Sequence, residues 1–402
     1  MKILFLCHYF PPETNAPAIR TYENARRWVS AGHDVTVITS APNAPRGELY
    51  PGYRNRLYQT EFIDGIRVVR VYTYLAANRG TWRRTLNYLS YMAAAFLAAQ
   101  AESPDILVAT SPQFFCGWAG VLLHWTRRWR FVLEIRDIWP ESITAVGAMK
   151  QGPVIRLLAA LERRMYAAAD HIVTVGRGYR DNLLDKGVPT GKISVIYNGV
   201  DLERFRPAPR DPEFARKYGL LGKKVIGYIG TVGLAHGLDI VLAAAERCRD
   251  RPWIFLIVGD GARHDELRET ACARGLHNIV FTGRLGRDDI PVAWAALDAC
   301  LIHLRRSALF RTVIPSKMFE AMGMGIPILM GVEGEARDLV LAARAGLPVE
   351  PDDPDSLVRA CDQLFAGDSP ALASSAREFV ARHFDRDILA RDYLDLLQRL
   401  VR

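Results

Sequence analysis

Short runs of β-branched and aromatic residues alternate with amphipathic stretches along the whole chain, and this alternation constrains the fold more than any other feature. It is typical of parallel sheets whose strands are joined by crossover helices that cover both faces. The series of strands starts once at Ile3 and again at Val225. We therefore predict an α/β chain of two doubly wound, Rossmann-like domains that face each other across a cleft.

The pattern predicts strands in both halves and a hairpin through Asp64-Gly65. The first-half strands are 3–6, 35–39, 66–71, 106–110, 131–135, 172–175 and 193–196, and the second-half strands are 225–229, 253–258, 279–282, 299–304 and 328–330. The chain of 402 residues also exceeds what one core usually holds. Both observations favour two domains.

The domain boundaries follow from turn and proline composition. Residues 197–209 contain Asn198-Gly199 and two prolines, which suits a linker between a first domain, 1–196, and a second domain, 210–384. Residues 385–402 carry apolar side chains at near-helical spacing. We predict a terminal helix that crosses back and packs on the first domain.

Composition excludes several classes of protein. No apolar run approaches the roughly 20 residues of a membrane-spanning helix, and the N-terminus reaches Pro11-Pro12 too soon for a signal peptide. The six cysteines are far apart, without metal-ligand spacing. We expect a cytoplasmic protein with reduced thiols, no cofactor and no bound metal.

Ligands of such sheets bind beyond the carboxyl ends of the strands, so the residues there matter most. The loop after the first strand, 7–18, contains no glycine, which counts against a dinucleotide fingerprint and hence against a dehydrogenase. It does open a helix whose N–H groups can face an anionic acceptor, with Glu13 and Asn15 as candidate contacts. A helix start stiffened by prolines is an equally good reading of this loop.

The first domain's best candidate site follows the strand 131–135. Charge and aromatic surface appear there abruptly, at Arg136, Asp137, Trp139 and Glu141. We take Asp137 as a catalytic candidate and the other three as acceptor contacts. The alternative is a structural Arg136–Asp137 ion pair with Trp139 in the core.

Glycine-bearing turns follow three strands of the second domain and together suggest a nucleotide cradle. The predicted donor contacts in these turns are Gly230, Thr231, Gly233, His236, Gly259, Arg284 and Leu285. Glycines at tight strand-to-helix turns are also often purely steric. A capping or surface role is likewise common for a histidine such as His236.

The most specific stretch of the chain is 310–328. Pro315 stands where a helix begins, Ser316 and Lys317 lie in its first turn, and Gly325-Ile326-Pro327 ends it. Lys317 and the free N–H groups are suited to a diphosphate, and Glu320 to hydroxyl groups. A carboxylate near a helix start is also stabilised by the helix dipole alone.

Those residues resemble glycosyltransferase family 4, the retaining enzymes of the GT-B fold, whose donor motif ends in E-A-M-x-x-G-x-P. Here the match is 320–327, and the stretches 8–13, 136–142, 235–239 and 314–320 resemble the subgroup of L-fucosamine transferases of O-antigen and colanic acid assembly. The resemblance covers nearly the whole chain. It implies that Glu320 holds the donor ribose.

The sequence also departs from the family pattern. Thr312 occupies the place of the first motif glutamate, which usually contacts the transferred sugar, so its loss would suit a deoxy or amino sugar. Thr231 and His236 stand near the places of the family's Arg and Lys. The phosphate charge must then be met by Lys317 and helix N-termini, with Arg305, Arg306 or Arg311 as helpers. Asp137 stands where many members carry a histidine.

The resemblance implies a retaining glycosyltransferase that moves a sugar from a UDP-sugar to a lipid-pyrophosphate-linked glycan in bacterial surface polysaccharide synthesis. A plausible sugar is an N-acetylated deoxyhexosamine such as L-FucNAc. Two alternatives stay open: a GT-B sugar-nucleotide epimerase that needs no acceptor, and a nucleotide-sugar binding subunit without turnover. No nucleic-acid partner is expected.

The net positive charge is concentrated in the first half, where residues 1–192 hold 24 Lys and Arg against 15 Asp and Glu. We predict peripheral binding to an anionic surface at the inner face of the cell membrane through one basic and aromatic segment. Its residues are Arg79, Trp82, Arg83, Arg84, Tyr88 and Tyr91. A solvated arm ahead of an ordinary helix is the alternative.

Overall fold

The computed structural model describes residues 1–44, 46–76, 81–111, 113–145, 152–367 and 369–402. The chain divides into two compact units. Unit 1 comprises Met1–Tyr197 and Arg386–Arg402, and unit 2 comprises Asn198–Asp385. From Asn198 onward the predicted linker therefore belongs to unit 2, where the N–H of the buried Val200 donates to the Phe384 carbonyl at 3.0 Å.

Unit 1 is built on one sheet, which has eight strands within the described ranges. They are β1 (Lys2–Leu6), β2 (Asp34–Ser40), β3 (Tyr58–Ile63), β4 (Ile66–Val71), β5 (Ile106–Thr110), β6 (Arg130–Ile135), β7 (His171–Thr174) and β8 (Ile193–Val195). Their order is β3-β4-β2-β1-β5-β6-β7-β8, and all neighbours are parallel except β3 and β4. The strands β1, β5 and β6 are therefore adjacent, and the loops that follow them share one edge of the sheet.

Helices cover this sheet because its central strands are apolar on both faces; every residue of β5 is buried, for example. The helices are α1 (Ala16–Ser30), α2 (Thr81–Ala99), α3 (Phe114–Arg127), α4 (Glu141–Ala145), α5 (Pro153–Ala168) and α6 (Arg177–Asp185). The helix α1 begins where the Asn15 side chain accepts the Ala18 N–H at 3.0 Å.

Unit 2 contains a second, parallel sheet. Its strands are β9 (Lys224–Ile229), β10 (Trp253–Val258), β11 (Ile279–Gly283), β12 (Ala299–His303), β13 (Ile328–Gly331) and β14 (Gly346–Pro348), in the order β11-β10-β9-β12-β13-β14. The helices are α7 (Pro212–Lys217), α8 (Asp239–Arg247), α9 (His264–Ala273), α10 (Asp289–Ala295), α11 (Lys317–Met324), α12 (Glu335–Ala342), α13 (Pro354–Ala366) and α14 (Ser369–His383). Two doubly wound α/β units are thus confirmed.

The last helix, α15 (Arg386–Val401), belongs to unit 1, as the sequence predicts. It packs on α1, where the Trp28 indole donates to the Ala390 carbonyl at 2.9 Å. The Trp28 ring also lies edge-on against the Tyr393 ring, with the two ring centres 5.3 Å apart. Arg27 of α1 also pairs with Asp387. The apolar stripe of this terminal helix is therefore buried by the first helix of the same unit.

Two parts of the sheets show which strands the sequence pattern predicts and which it does not. The hairpin through Asp64-Gly65 is confirmed: both residues have positive φ, and β3 pairs antiparallel with β4. The edge strand β14 was not predicted, because it starts with Gly346 and ends with Pro348, two residue types that weaken a strand pattern. In the described part of the chain, no helix has both the length and the apolar composition to cross a bilayer.

Candidate active site

Lys317 is the first residue of α11, the helix predicted to bind the donor. Its ammonium Nζ is buried, lies 3.7 Å from the centre of the Tyr228 ring, and has no hydrogen-bond partner among the described residues. Beside it, a Cβ atom on Gly230 would lie 2.9 Å from Nζ, so the glycine leaves room for the cation. A buried ammonium without an acceptor is costly, and an anionic ligand would satisfy it.

Burial lowers the pKa of Lys317 to about 8, against the weaker opposing influence of Cys300 and Glu320. The pKa of His236 is lowered to about 3, first by burial and then by the nearby Lys317 charge. His236 is therefore neutral at physiological pH, and its Nδ1 is buried without a partner. The structure thus brings Lys317, Gly230 and His236 together.

His303, at the end of β12, is a residue that the sequence analysis missed. Its Nδ1 donates to the His236 carbonyl at 2.7 Å, and its Nε2 accepts the Asp352 N–H at 3.0 Å. The two bonds require the neutral Nδ1–H tautomer, which agrees with a pKa lowered by burial. Gly331 and Gly237 flank the ring closely. His303 therefore holds the turn that carries His236, and only this packing identifies its role.

The turns after β9, β10 and β11 are joined through their backbones. The Gly230 N–H donates to Val258 at 2.9 Å, and the Gly259 N–H donates to Gly283 at 3.0 Å. A Cβ on Gly259 would lie 1.9 Å from the Gly230 carbonyl oxygen, so this glycine has the steric role that the sequence left open. At Gly233 neither the backbone φ angle nor the surrounding space requires a glycine. The predicted donor contact is therefore the remaining explanation for a glycine at this position.

The segment between β9 and α8 differs from a simple strand-to-helix turn. A 3-10 turn, Leu234–His236, and a left-handed Gly237 come first, and α8 starts only at Asp239. The first residue of α8 therefore lies three residues beyond His236. The loop leads into α8 only after Gly237 has ended the 3-10 turn.

Glu320 lies one turn into α11 and accepts a hydrogen bond from the Trp294 indole at 3.2 Å. Trp294 is fully buried, so the carboxylate is positioned by the core of unit 2. Ser316 precedes the helix without capping it through its side chain. The N–H groups of Met318 and Phe319 donate to the Pro315 and Ser316 carbonyls at 3.1 Å. The amino end of α11 thus presents the Lys317 ammonium, with Glu320 close behind it.

The remaining donor-side candidates lie nearer the surface. Thr231 and Arg284 are exposed, and Leu285 is partly buried. Arg305 pairs with Asp239 at 2.7 Å, and Arg306 pairs with Glu350 at 2.9 Å, so both helper arginines are engaged in ion pairs. Arg311 is exposed.

Thr312, which replaces the family's glutamate, ends a 3-10 turn that starts at Leu309. Its hydroxyl donates to the Leu309 carbonyl at 2.7 Å, so the side chain closes its own turn. A hydroxyl in that position carries no charge toward a sugar.

In unit 1, Asp137 follows β6 and is held by the Ile138 N–H and the side chains of Ser142 and Trp139. Burial raises the pKa of Asp137 to about 6, and these hydrogen bonds oppose the rise. Trp139 stacks on Phe114 with ring centres 6.1 Å apart. The carboxylate is thus fixed in place at the carboxyl edge of the sheet.

Arg136 and Glu141 differ in how they are compensated. Glu141 pairs with Lys186 at 2.9 Å and accepts the Asn182 amide at 3.1 Å. Two nitrogens of Arg136, Nε and Nη1, are buried without a hydrogen-bond partner. Among the described residues Arg136 forms no ion pair with Asp137, so the structural pair considered from the sequence is absent.

Glu13 and Asn15 have structural contacts. Glu13 is 1 % exposed and accepts the N–H groups of Phe10, Asn43 and Ala44. Burial raises the pKa of Glu13 to about 7. Asn15 caps α1, as described above. Both side chains therefore shape the loop after β1 from within, and neither is freely presented to a ligand.

The described residues contain no group of three or more His, Cys, Asp or Glu side chains placed to hold a metal ion. The carboxylates of Asp352, Asp353 and Asp355, which lie close together in the sequence, make contacts within the protein instead of forming a metal site. Asp353 caps α13 by accepting the N–H groups of Asp355 and Ser356, while Asp352 accepts the Arg306 N–H.

Family models match both units: residues 15–199 match the glycosyl transferase 4-like domain, and residues 223–367 match the glycosyl transferases group 1. Both units are glycosyltransferase domains. One relative spans the whole chain, the putative colanic acid biosynthesis glycosyl transferase WcaI of Escherichia coli K12, which is 28 % identical over 98 % of this chain and 99 % of its own length.

Solved structures of similar shape confirm the GT-B fold class for these glycosyltransferase domains. Sucrose-phosphate synthase from Thermosynechococcus elongatus has a TM-score of 0.78 at 17 % identity, over 99 % of this chain and 98 % of its own. Anabaena Alr3699/HepE in complex with UDP and glucose has a TM-score of 0.75 at 19 % identity, over 99 % of both chains. At such identities the likeness concerns the fold alone.

Proposed function

We propose that this glycosyltransferase transfers a sugar, with retention, from a UDP-sugar bound by unit 2 to a lipid-pyrophosphate-linked glycan bound by unit 1. The observation that carries the proposal is the buried, unpartnered Lys317 ammonium at the amino end of α11, beside Gly230. Similarity to a colanic acid glycosyl transferase supports surface polysaccharide as the product class. The UDP bound to the fold relative HepE supports the choice of nucleotide.

In this proposal the residues of unit 2 supply positioning and charge. Lys317, at the positive amino end of α11, binds the diphosphate, and its attraction grows as the leaving group gains charge. Neutral His236 donates or accepts a hydrogen bond beside them. Glu320, held by Trp294, accepts the hydroxyl groups of the ribose.

The leaving phosphate helps to deprotonate the acceptor on the same face of the sugar, so the protein needs no strong base of its own. Asp137 of unit 1 is the proposed contact to the transferred sugar, held in place by Ser142 and Trp139. Thr312, uncharged and closing its own turn, suits a sugar that lacks a hydroxyl. We therefore propose an N-acetylated deoxyhexosamine such as L-FucNAc.

Product analysis with a panel of UDP-sugars, with and without a lipid-pyrophosphate-linked glycan and in the presence of a chelator, tests the proposal. We expect UDP release and a longer lipid-linked glycan only when acceptor is present, at an undiminished rate in chelator. Sugar release or isomerisation without acceptor would identify an epimerase. Donor binding without any turnover would identify a binding subunit, and loss of activity in chelator restored by Mg²⁺ would contradict metal independence.

The membrane segment proposed from the sequence needs a correction. Tyr88 and Tyr91 of α2 are only 8 % and 0 % exposed, and the Tyr91 hydroxyl donates to the Ile38 carbonyl at 2.8 Å. They lie on the inward face of the helix, which helical spacing alone does not identify. Trp82 is 73 % exposed and Arg83 is exposed, whereas Arg79 lies outside the described residues.

Exposed aromatic and basic side chains also lie along the sheet edge at β3 and the end of β4. Tyr72 and Tyr74 follow β4, and the Tyr72 N–H donates to the carbonyl of Leu57, which is 83 % exposed. The Tyr74 carbonyl accepts the Asn87 amide of α2 at 2.7 Å, which connects the edge to that helix. Arg54 and Arg56 are exposed nearby in sequence. We propose that this basic and aromatic edge meets anionic lipid.

Vesicle flotation checks the membrane proposal. The chain should float with anionic vesicles at low salt, and less with neutral vesicles or at high salt. Replacing Leu57 and Trp82 by serine should reduce flotation, whereas replacing the buried Tyr88 by phenylalanine should not. Equal recovery under all conditions would reject membrane binding.

A further inference from the structure

The carboxyl edge of the unit 1 sheet carries buried polar atoms that have no partner in the described part of the chain, and they follow three adjacent strands. They are Nδ1 of His8 after β1, both amide atoms of Gln113 after β5, and Nε and Nη1 of Arg136 after β6. Buried polar groups are nearly always hydrogen-bonded in folded proteins. Such a group of unpartnered atoms along one edge therefore points to a ligand.

Gln113 has no structural task that would explain its burial. It is 3 % exposed and precedes α3 as its N-terminal cap, but its side chain makes no capping hydrogen bond. Its amide can donate two hydrogen bonds and accept others, and none is made. An apolar side chain would be cheaper to bury at this position.

Arg136 lacks a counter-ion of its own, whereas the nearby Arg20 has one in Glu134. Glu134, the nearest carboxylate to influence it, is already bonded to Arg20 at 3.0 Å and to the Thr110 hydroxyl at 2.7 Å. Burial lowers the pKa of Arg136 to about 10; the charge of Glu134 opposes this shift, and the nearby Arg20 adds to it. Arg136 therefore remains charged at physiological pH, without an ion pair among the described residues.

The two side chains come from loops that are joined. The Arg136 N–H donates to the Ser111 hydroxyl at 2.9 Å, and the Ser111 N–H donates to the Glu134 carbonyl at 2.9 Å. Phe114, the first residue of α3, stacks on Trp139. The positive amino end of a 14-residue helix thus lies next to the arginine loop.

We propose that Gln113, Arg136 and the amino end of α3 form a subsite for one oxyanion of the acceptor, a phosphate or a carboxylate. The inference rests on the proposed transfer reaction, because it assigns that oxyanion to the acceptor. Guanidinium groups bind either oxyanion through two parallel hydrogen bonds. The Gln113 amide donates to the same group or accepts from an adjacent hydroxyl.

Calorimetric titration of the full chain, first saturated with UDP, tests the subsite with pyrophosphate, inorganic phosphate, glucuronate and neutral glucose as probes. UDP occupies the donor side, so a further anion must bind elsewhere. We expect pyrophosphate or glucuronate to bind, and the stronger of the two identifies the source of the oxyanion. Absence of UDP binding would reject the proposed function. UDP binding without any oxyanion binding, or with equal binding of glucose, would reject the subsite alone.

Three variants locate the binding. Arg136→Gln should weaken oxyanion binding at least about tenfold. Gln113→Met should weaken it less, because the Gln113 amide is neutral whereas the Arg136 guanidinium is charged. Arg163→Gln, which removes an exposed charge from α5 of the same unit, should leave the affinity unchanged. Unchanged affinity in Arg136→Gln would overturn the proposal.

Thermal unfolding separates this role from a structural one. Arg136→Gln removes a buried charge that has no ion pair, and Gln113→Met removes an unsatisfied buried amide, so the melting temperature should stay the same or rise. A clear fall in melting temperature for both variants would show that the side chains stabilise the fold, and would overturn the assignment.

Discussion

Arg20 in unit 1 and Lys317 in unit 2 are both cations held in buried surroundings, but only Arg20 has partners. Its guanidinium bonds to Glu134 at 3.0 Å and to the carbonyls of Tyr197 and Ile196 at 2.8 and 3.0 Å. Lys317 has the face of Tyr228 and no acceptor. The difference teaches that burial alone does not mark a site: a compensated charge stabilises the fold, and an uncompensated one is available to a ligand.

The largest effect expected from this comparison is on stability. Glu134→Gln should lower the free energy of unfolding by about 3–5 kcal/mol, because Arg20 would stay buried without a counter-charge. Chemical denaturation measures it. The control is Glu102→Gln, which breaks the more exposed Arg67–Glu102 pair and should cost less than about 1 kcal/mol. Equal losses in the two variants would contradict the comparison.

The next effect is on turnover. Lys317→Met keeps the apolar contact with Tyr228 but removes the charge, so kcat/KM should fall by about 10²–10³, with kcat falling too. Steady-state kinetics with the identified donor measures it. Because an uncompensated buried charge is removed, the melting temperature should not fall. A destabilised variant with normal kinetics would place Lys317 in the same class as Arg20.

A smaller effect is expected at Glu320. Glu320→Ala should weaken UDP binding by about 1–3 kcal/mol, the range for a hydrogen bond to a charged group, if the carboxylate holds the ribose. Calorimetric titration with UDP measures it. Trp294→Phe serves as the control, since it removes the indole donor at 3.2 Å and leaves the carboxylate. Unchanged affinity and turnover in a folded Glu320→Ala variant would remove Glu320 from the donor site.

The smallest effect is the pH dependence of UDP binding. With its pKa near 8, Lys317 loses its charge as pH rises through that value, so UDP affinity should fall between pH 7 and 9.5. The Lys317→Met variant should show no such fall. Stability should change in the opposite direction: between pH 8 and the ordinary value of 10.5 the unfolded chain binds more protons, so the Lys317 contribution to stability rises with pH.

Much of the donor region was predictable because its signals are local. Proline, serine and glycine around one amphipathic stretch predict α11 with a start at Pro315 and an end at Gly325; the helix starts two residues later, at Lys317, and ends as predicted. The turn at Asp64-Gly65 follows from the residue types that tolerate positive φ. The assignments of Lys317 and Glu320 to a nucleotide remain predictions that the experiments above test.

Other residues could not be assigned in this way. Glu13 has the sequence context of a ligand contact, yet three backbone N–H groups occupy its carboxylate. Gln113 carried no signal at all, although its amide is buried and unpartnered. His303 sits at the end of an ordinary strand, and its role appears only in its bonds to His236 and Asp352.

The sequence by itself determined the alternation of strands and helices, the double start of that series, and the resemblance of both domains to glycosyltransferases. Only the tertiary structure decided which polar groups are compensated. Hydrophobic period and turn chemistry are properties of a few consecutive residues. Compensation depends on partners such as Arg20 and Glu134, 114 positions apart, that only the folded chain brings within hydrogen-bond distance.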